Sequence, residues 1–266
     1  MTTPILEIEN LNGSFPSKQV LHNINLTLQP GRKLALVGES GSGKTVLSQG
    51  IMRLNPMVTF EGRLKYCGTD LLTQPERALQ KLRGREIGMV FQEPMTALNP
   101  VMRVGEQIAE VLSLHLGLDK KQAWARAIEL LDETGIHQPE QKAQAYPFQL
   151  SGGQRQRAMI AMVFCQRTDY VLLDEPLNNL DMYHARSLMQ ILRRLTDEHK
   201  RTTVVVLHDI NQAAAYADYV VAMKNGQVAM QGKPNDIFTA ENIKTLFDMD
   251  VNVLDYEGKK LVIHHI

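Results

Sequence analysis

A glycine-rich segment between an apolar run and a helical pattern carries the residue types that bind phosphate. It reads Gly38-Glu39-Ser40-Gly41-Ser42-Gly43-Lys44-Thr45 and fits the pattern G-x-x-x-x-G-K-[ST]. Glycines let backbone N–H groups curl around a β-phosphate, and the N-terminus of the following helix adds partial positive charge. We expect Lys44 to reach the β- and γ-oxygens of a nucleotide and Thr45 to ligate Mg²⁺. The predicted phosphate-binding residues are Gly38, Ser40, Gly41, Gly43, Lys44 and Thr45.

Two acidic residues follow an apolar run further along the chain. The run Tyr170-Val171-Leu172-Leu173 ends in Asp174 and Glu175. A buried strand ending in two acids can place Asp174 near Mg²⁺, while Glu175 faces an attacking water as general base. The alternative is that the two acids lie in solvent at the end of the strand and have no catalytic role, as is often the case for paired acids. The phosphate loop in the same chain favours the catalytic interpretation.

A third string, Leu150-Ser151-Gly152-Gly153-Gln154, lies between the loop and the acids. Taken alone, Ser151 with Gln154 three residues later is a capping box that opens a helix. Along the chain the phosphate loop comes first, this string second, and the apolar strand ending in Asp-Glu third. This order of motifs resembles that of the nucleotide-binding domain of the ABC (ATP-binding cassette) ATPases. The resemblance extends along nearly the whole chain.

The resemblance implies a site shared between two subunits, either a homodimer or a pair of ATPase subunits. Ser151, Gly153 and Gln154 of one subunit would close over the γ-phosphate of ATP held by the phosphate loop of the other. A helix N-terminus with a hydroxyl and glycines is an anion site, yet within one chain it has no second phosphate to bind. Two-fold symmetry makes such an arrangement self-complementary.

The family resemblance also implies roles for four further residues. Gln92 would help hold Mg²⁺ and water and is expected to be catalytic, and His208 would hydrogen-bond the γ-phosphate and hold Glu175. Asp181 would meet the opposite subunit, and Phe15 would stack on adenine, where the family more often has Tyr.

The elements that position these residues alternate between strand and helix. β-like runs precede Gly38, a helical pattern follows Gly43, and helix follows helix between Val104 and Ala145. After Pro147 the alternation resumes, with a helix from Ala185 to Glu198. A helix from Glu241 to Met249 and a hairpin turning at Glu257-Gly258 are predicted near the end.

The predicted fold class is α/β, a P-loop NTPase of the ABC-ATPase type. It has a RecA-like core, an antiparallel β subdomain and a helical insertion. The whole chain, residues 1–266, is predicted to be one ATPase domain. Residues 1–91 and 151–240 form the catalytic core with the β subdomain, residues 92–150 the helical subdomain, and residues 241–266 a short C-terminal helix and hairpin.

Composition excludes several other classes. Lys and Arg total 29 and Asp and Glu total 29, so no net positive charge draws the chain to nucleic acid, and we expect no nucleic-acid partner. We expect no secretory signal, and no apolar stretch of the sequence reaches bilayer length. The two cysteines, Cys67 and Cys165, fit reduced thiols in a cytoplasm.

A single cassette with a compact helical segment favours an importer ATPase that docks on a separate permease. We therefore expect a peripheral location on the cytoplasmic face of the inner membrane and an indirect link to a solute-binding protein. The alternative is an ABC-type ATP-binding module that is not coupled to transport, either a soluble regulator or a recombinant scaffold.

The subfamily resemblance is split near residue 160. Residues 91–100, 104–107 and 145–147 resemble peptide and nickel importer ATPases, whereas residues 174–182, 208–213 and 248–251 resemble ferric-siderophore importer ATPases. This split predicts a mosaic, natural or constructed, joined near the shared Leu-Ser-Gly-Gly-Gln stretch. The transported solute itself does not follow from the sequence.

Overall fold

The computed structural model describes residues 3–91, 98–178 and 180–264. The chain forms two compact units, the first made of Met1–Gln80 and His199–Ile266 and the second of Lys81–Glu198. These boundaries differ from the division predicted above, which stays a prediction. Among the described residues, no helix combines the length and the apolarity that a bilayer crossing requires.

An antiparallel sheet of four strands forms part of the first unit. Its strands follow the order β2-β1-β4-β5, and alternate side chains of β1 are buried, as expected for a strand with one face in the core. The strands are β1 (Leu6–Phe15), β2 (Lys18–Leu28), β4 (Thr59–Tyr66) and β5 (Thr69–Asp70).

A second sheet of the first unit is built around β3 (Lys33–Gly38), in which all six residues are buried. Strand β3 pairs in parallel with both β8 and β9, and β9 pairs antiparallel with β10. A strand enclosed on both sides and both faces is a continuous apolar run, which is the pattern seen before Gly38. The other strands of this sheet in the first unit are β8 (Thr202–Val206), β9 (Tyr219–Lys224) and β10 (Gln227–Gly232).

Helices and a terminal hairpin complete the first unit. Strand β11 (Asn252–Tyr256) pairs with β12 (Lys259–Ile263) around the predicted turn at Glu257-Gly258. The helices are α1 (Lys44–Ile51), α2 (Glu76–Leu82, which crosses the unit boundary), α8 (Ile210–Tyr216), α9 (Pro234–Ile237) and α10 (Ala240–Phe247).

The second unit contains two parallel strands and a set of helices. Strand β6 (Ile87–Val90) pairs with β7 (Tyr170–Leu173), and every residue of both strands is buried. The helices are α3 (Val104–Leu116), α4 (Lys120–Glu133), α5 (Pro139–Ala143), α6 (Gly152–Cys165) and α7 (Met182–His199), with a 3-10 turn at Pro147–Gln149.

Close packing of α3 against α4 and α5 depends on Gly105. A Cβ atom there would lie 2.8 Å from the ring of Trp124 and 2.8 Å from the Cβ of Ala143. The glycine therefore lets three helices meet at one point. This packing fixes the helical segment that precedes the Ser151 string.

Candidate nucleotide-binding site

The predicted phosphate loop connects the end of β3 to the start of α1. Three of its glycines have positive φ angles, namely Gly38 (+146°), Gly41 (+78°) and Gly43 (+97°). A Cβ at Gly38 would lie 2.2 Å from the carbonyl oxygen of Met223, and a Cβ at Gly43 would lie 2.8 Å from Cδ2 of Leu21. Backbone conformation and close contact both require glycine at these two positions.

Lys44 holds the loop in its curved shape. Its side chain is buried, and Nζ donates hydrogen bonds to the carbonyl oxygens of Gly38 (2.9 Å) and Glu39 (2.7 Å). The loop thus encloses a positive charge at the N-terminus of α1, whose first turn contains no acidic residue. A helix dipole and an ammonium group together make an anion-binding site.

The residues present fit a nucleotide phosphate and its magnesium ion. A Cβ at Gly41 would meet no atom within 4 Å, so the loop backbone is open to an approaching group. Thr45 is the second residue of α1 and is half-buried. The hydroxyl of Thr45 and the carboxylate of Asp174, two of the predicted ligands, are hard oxygen donors of the kind that Mg²⁺ takes. Among the described residues there is no cluster of three or more His, Cys, Asp or Glu side chains that could hold a metal ion.

His208 lies at the edge of the sheet where the phosphate loop begins. Strand β8 runs parallel to β3 with Val206 opposite Leu36, and the N–H of Leu207 donates to the carbonyl oxygen of Leu36. Gly38 is the last residue of β3, and His208 follows the end of β8 by two residues. The imidazole is exposed at this edge.

Phe15 lies at the end of β1, opposite Lys18 in the hairpin with β2, and is half-buried. Strand β2 also reaches the phosphate loop, because Leu21 packs against Gly43. The loop, the hairpin that carries Phe15, and His208 all belong to the first unit.

The two acids follow β7 in the second unit. Asp174 is completely buried, and its backbone N–H donates to the carbonyl oxygen of Val90 (2.9 Å). Glu175 is also buried and has a φ angle of +49°. Its Oε2 accepts a hydrogen bond from Nδ2 of Asn178 at 2.6 Å. Sequence reasoning missed Asn178; a side-chain amide three residues after an acid in a turn was the available signal.

The Ser151 string opens helix α6, as the capping-box interpretation predicts. The N–H of Gln154 donates to Oγ of Ser151 (3.3 Å), and the N–H of Ser151 donates to Oε1 of Gln154 (3.1 Å). Ser151 and Gly152 are exposed, so the N-terminus of α6 is accessible. A Cβ at Gly153 would lie 3.1 Å from Leu180, which places the string beside the segment before α7.

Asp181 is the residue immediately before α7. Its Oδ1 accepts the backbone N–H of His184 (2.9 Å), and its Oδ2 lies 2.6 Å from Nδ1 of the same residue. The His184 backbone N–H, and next its ring, hold the pKa of Asp181 below its ordinary value. The carboxylate is exposed. Gln92 lies outside the described residues, so its role stays a prediction.

Comparison with known proteins identifies the family of this chain. The profile of the ABC transporter family matches residues 21–178. The chain is 38% identical over 245 residues to the peptidoglycan transport ATP-binding protein YejF of Agrobacterium fabrum, covering 90% of this chain and 45% of YejF. It is 40% identical over 243 residues to the oligopeptide transport ATP-binding protein OppD of Bacillus subtilis, covering 89% of this chain and 68% of OppD. The chain thus spans less than half of YejF and about two thirds of OppD.

Two solved structures have the same fold. The dimeric ATP-binding cassette MJ0796 in a post-hydrolysis state, bound to ADP and Pi, superposes with a TM-score of 0.78 at 29% identity over 86% of this chain and 98% of that one. CbiO1 of Clostridium perfringens, part of an ABC transporter complex, superposes with a TM-score of 0.77 at 27% identity over 92% of this chain and 96% of that one. The predicted fold class is confirmed, and so is the resemblance to peptide importer ATPases. This chain belongs to the ABC transporter family and has the fold of its ATPase cassettes.

Proposed function

We propose that this chain binds and hydrolyses ATP to power the uptake of a small solute through a separate membrane permease. The observation that carries the proposal is the loop from Gly38 to Lys44, whose buried ammonium group and open glycine backbone suit a nucleotide phosphate. Family membership supports it.

Binding is assigned to the first unit. The backbone from Gly38 to Gly43, which includes Ser40, surrounds the β-phosphate. Lys44 pairs with the oxygens of the β- and γ-phosphates. Phe15 stacks on the adenine ring.

Hydrolysis is assigned to Glu175, His208 and Gln92. Glu175 accepts a proton from water as general base, His208 donates a hydrogen bond to the γ-phosphate, and Gln92 helps position the water. Thr45, Asp174 and Gln92 supply oxygen ligands for Mg²⁺, which when bound neutralises charge on the phosphate oxygens.

A second ATPase subunit is proposed to complete each site. Ser151, Gly153 and Gln154 present the exposed N-terminus of α6 to the γ-phosphate held by the partner, and Asp181 contacts that partner. The dimeric state named for MJ0796 supports this pairing.

The solute is proposed to be a peptide or oligopeptide, because the relatives carry the names of peptidoglycan, oligopeptide and peptide import ATPases. The relatives above align over about 90% of this chain and give no support to a mosaic with a ferric-siderophore importer. Nickel and iron chelates as solutes stay predictions. The location proposed is the cytoplasmic face of the inner membrane, with a solute-binding protein as indirect partner.

Lys44→Ala tests the nucleotide assignment, with Lys33→Ala as the matched control. Both lysines are buried in the first unit, but Lys33 pairs with Asp218 (Nζ–Oδ1 3.5 Å) away from the loop. Lys44→Ala is expected to weaken ATP binding at least about tenfold, since a charge pair to phosphate is lost. Lys33→Ala is expected to lower thermal stability and to keep the ATP affinity. Equal ATP affinity in Lys44→Ala and the parent contradicts the assignment.

A further inference from the structure

One residue in the turn after β7 holds Glu175 at both its side chain and its backbone. Nδ2 of Asn178 donates to Oε2 of Glu175 at 2.6 Å, and the backbone N–H of Asn178 donates to the carbonyl oxygen of Glu175 at 3.2 Å. A hydrogen bond to a carboxylate is stronger than one between neutral groups. The side chain of Asn178 therefore restrains the rotation of the Glu175 carboxylate.

The backbone of Glu175 also adopts a conformation that is uncommon for a residue with a side chain. Its φ angle of +49° lies in the left-handed region, which is costly for a residue with a side chain. The side chain is also buried, with 8% of the residue exposed. Strained backbone of this kind persists where surrounding contacts hold it, and it is concentrated at functional sites.

We propose that Asn178 is a positioning residue for ATP hydrolysis, an inference that rests on the proposed function of Glu175. By occupying Oε2, the amide presents the other carboxylate oxygen to water. In the hydrolysis step, the water oxygen bonds to the γ-phosphorus, and the bond from that phosphorus to the oxygen of the leaving ADP breaks. The water proton passes to Glu175, which acts as general base. Asn178 touches neither water nor nucleotide in this account.

The test compares Asn178→Ala, Asn178→Asp and Asn178→Gln by phosphate release from Mg-ATP. Asn178→Ala removes the side-chain donor but keeps the backbone bond, and Asn178→Asp replaces the donor by an oxygen at nearly the same size. We expect kcat to fall about tenfold or more in both variants, while KM for ATP stays within about twofold. Asn178→Gln keeps an amide and is expected to recover part of the lost kcat.

Asn235→Ala is the control. Asn235 is another exposed asparagine whose amide donates one hydrogen bond, to the carbonyl oxygen of Gly258 at 3.0 Å. This variant is expected to keep the kcat and KM of the parent. Melting temperatures are measured for all variants, because a purely structural role for Asn178 would lower stability and leave kcat unchanged.

A double variant separates action through Glu175 from any other effect. Because Asn178 acts only by holding Glu175, adding Asn178→Ala to Glu175→Gln is expected to leave the residual single-turnover rate unchanged. A further loss overturns the inference, and so does a parent-like kcat in Asn178→Ala. If the parent releases no phosphate, or if Glu175→Gln keeps the parent rate, the proposed function fails and the inference fails with it.

Discussion

Gly41→Ala, compared with Gly68→Ala, separates nucleotide binding from fold stability. Gly41 lies in the phosphate loop, whereas Gly68 lies in the turn between β4 and β5. Their φ angles are +78° and +80°, and a Cβ at either position would meet no atom within 4 Å. The two substitutions therefore impose the same kind of conformational cost, without a steric clash at either site.

That cost is about 1–2 kcal/mol for a side chain in the left-handed region. For a chain of this size, each kcal/mol lowers the melting temperature by about 2–4 °C, so both variants should melt roughly 2–8 °C below the parent. The two variants should differ in their affinity for ATP. If alanine at residue 41 displaces one N–H group from a charged phosphate, the loss of about 1.5–3 kcal/mol weakens binding roughly tenfold to hundredfold.

Isothermal titration calorimetry with ATP and thermal unfolding measure the two effects separately. Gly41→Ala should lose affinity at 25 °C, where both variants are folded, and Gly68→Ala should bind like the parent. An affinity equal to that of the parent in both variants would refute the idea that the loop backbone binds phosphate. Equal losses would mean that affinity follows stability instead.

Two further predictions concern the acid at the site and the two thiols. Glu175→Gln should keep ATP affinity and lose nearly all turnover, because an amide cannot accept the proton from water; nucleotide binding and phosphate release measure this. Burial raises the pKa of Cys165 to about 12, whereas Cys67 is exposed. At pH 8 a thiol reagent should therefore modify Cys67 in the folded protein and both cysteines after denaturation. Because the folded state favours the protonated Cys165 thiol, its contribution to stability should be lost as pH rises from about 9 to about 12.

Each of these predictions has a result that would contradict it. Phosphate release by Glu175→Gln at the parent rate would remove Glu175 from the role of general base. Rapid modification of Cys165 in the folded protein would show that the thiol is accessible to solvent.

The sequence predicted helices and strands well where local turn and capping residues determine them. The hairpin turns at Glu257-Gly258, where both residues have positive φ angles as a two-residue turn requires. The helix predicted from Glu241 to Met249 spans Ala240–Phe247 instead. Thr239 caps its start by accepting the N–H of Asn242, and Asp248 ends it in the left-handed conformation.

Helix α7, by contrast, is longer than its predicted range of Ala185 to Glu198, since it spans Met182–His199. The carboxylate of Asp181 accepts the N–H of His184 and so starts the helix earlier. Sequence reasoning gave Asp181 a role toward a partner subunit and overlooked this local one.

Features that depend on strand order could not be predicted in the same way. The strand before His208 lies beside the strand that ends at Gly38 because β8 is the parallel neighbour of β3, and the two strands are far apart in the chain. The bond from Asn178 to Glu175 depends on the left-handed backbone of Glu175, for which the sequence carries no glycine signal. Such contacts follow from tertiary packing.

Subunit complementation tests most directly the proposal that each nucleotide site needs two copies of the chain. Lys44→Ala disables the phosphate loop, whereas Ser151→Asp keeps a residue able to cap α6 but places negative charge where the γ-phosphate should bind. Each variant alone should be nearly inactive, and a mixed pair should contain one site with neither substitution. Equal mixing should therefore restore about a quarter of the phosphate release of the parent, since half of the pairs are mixed and each has one intact site of two. Phosphate release no greater than the sum of the two separate variants would contradict the shared site.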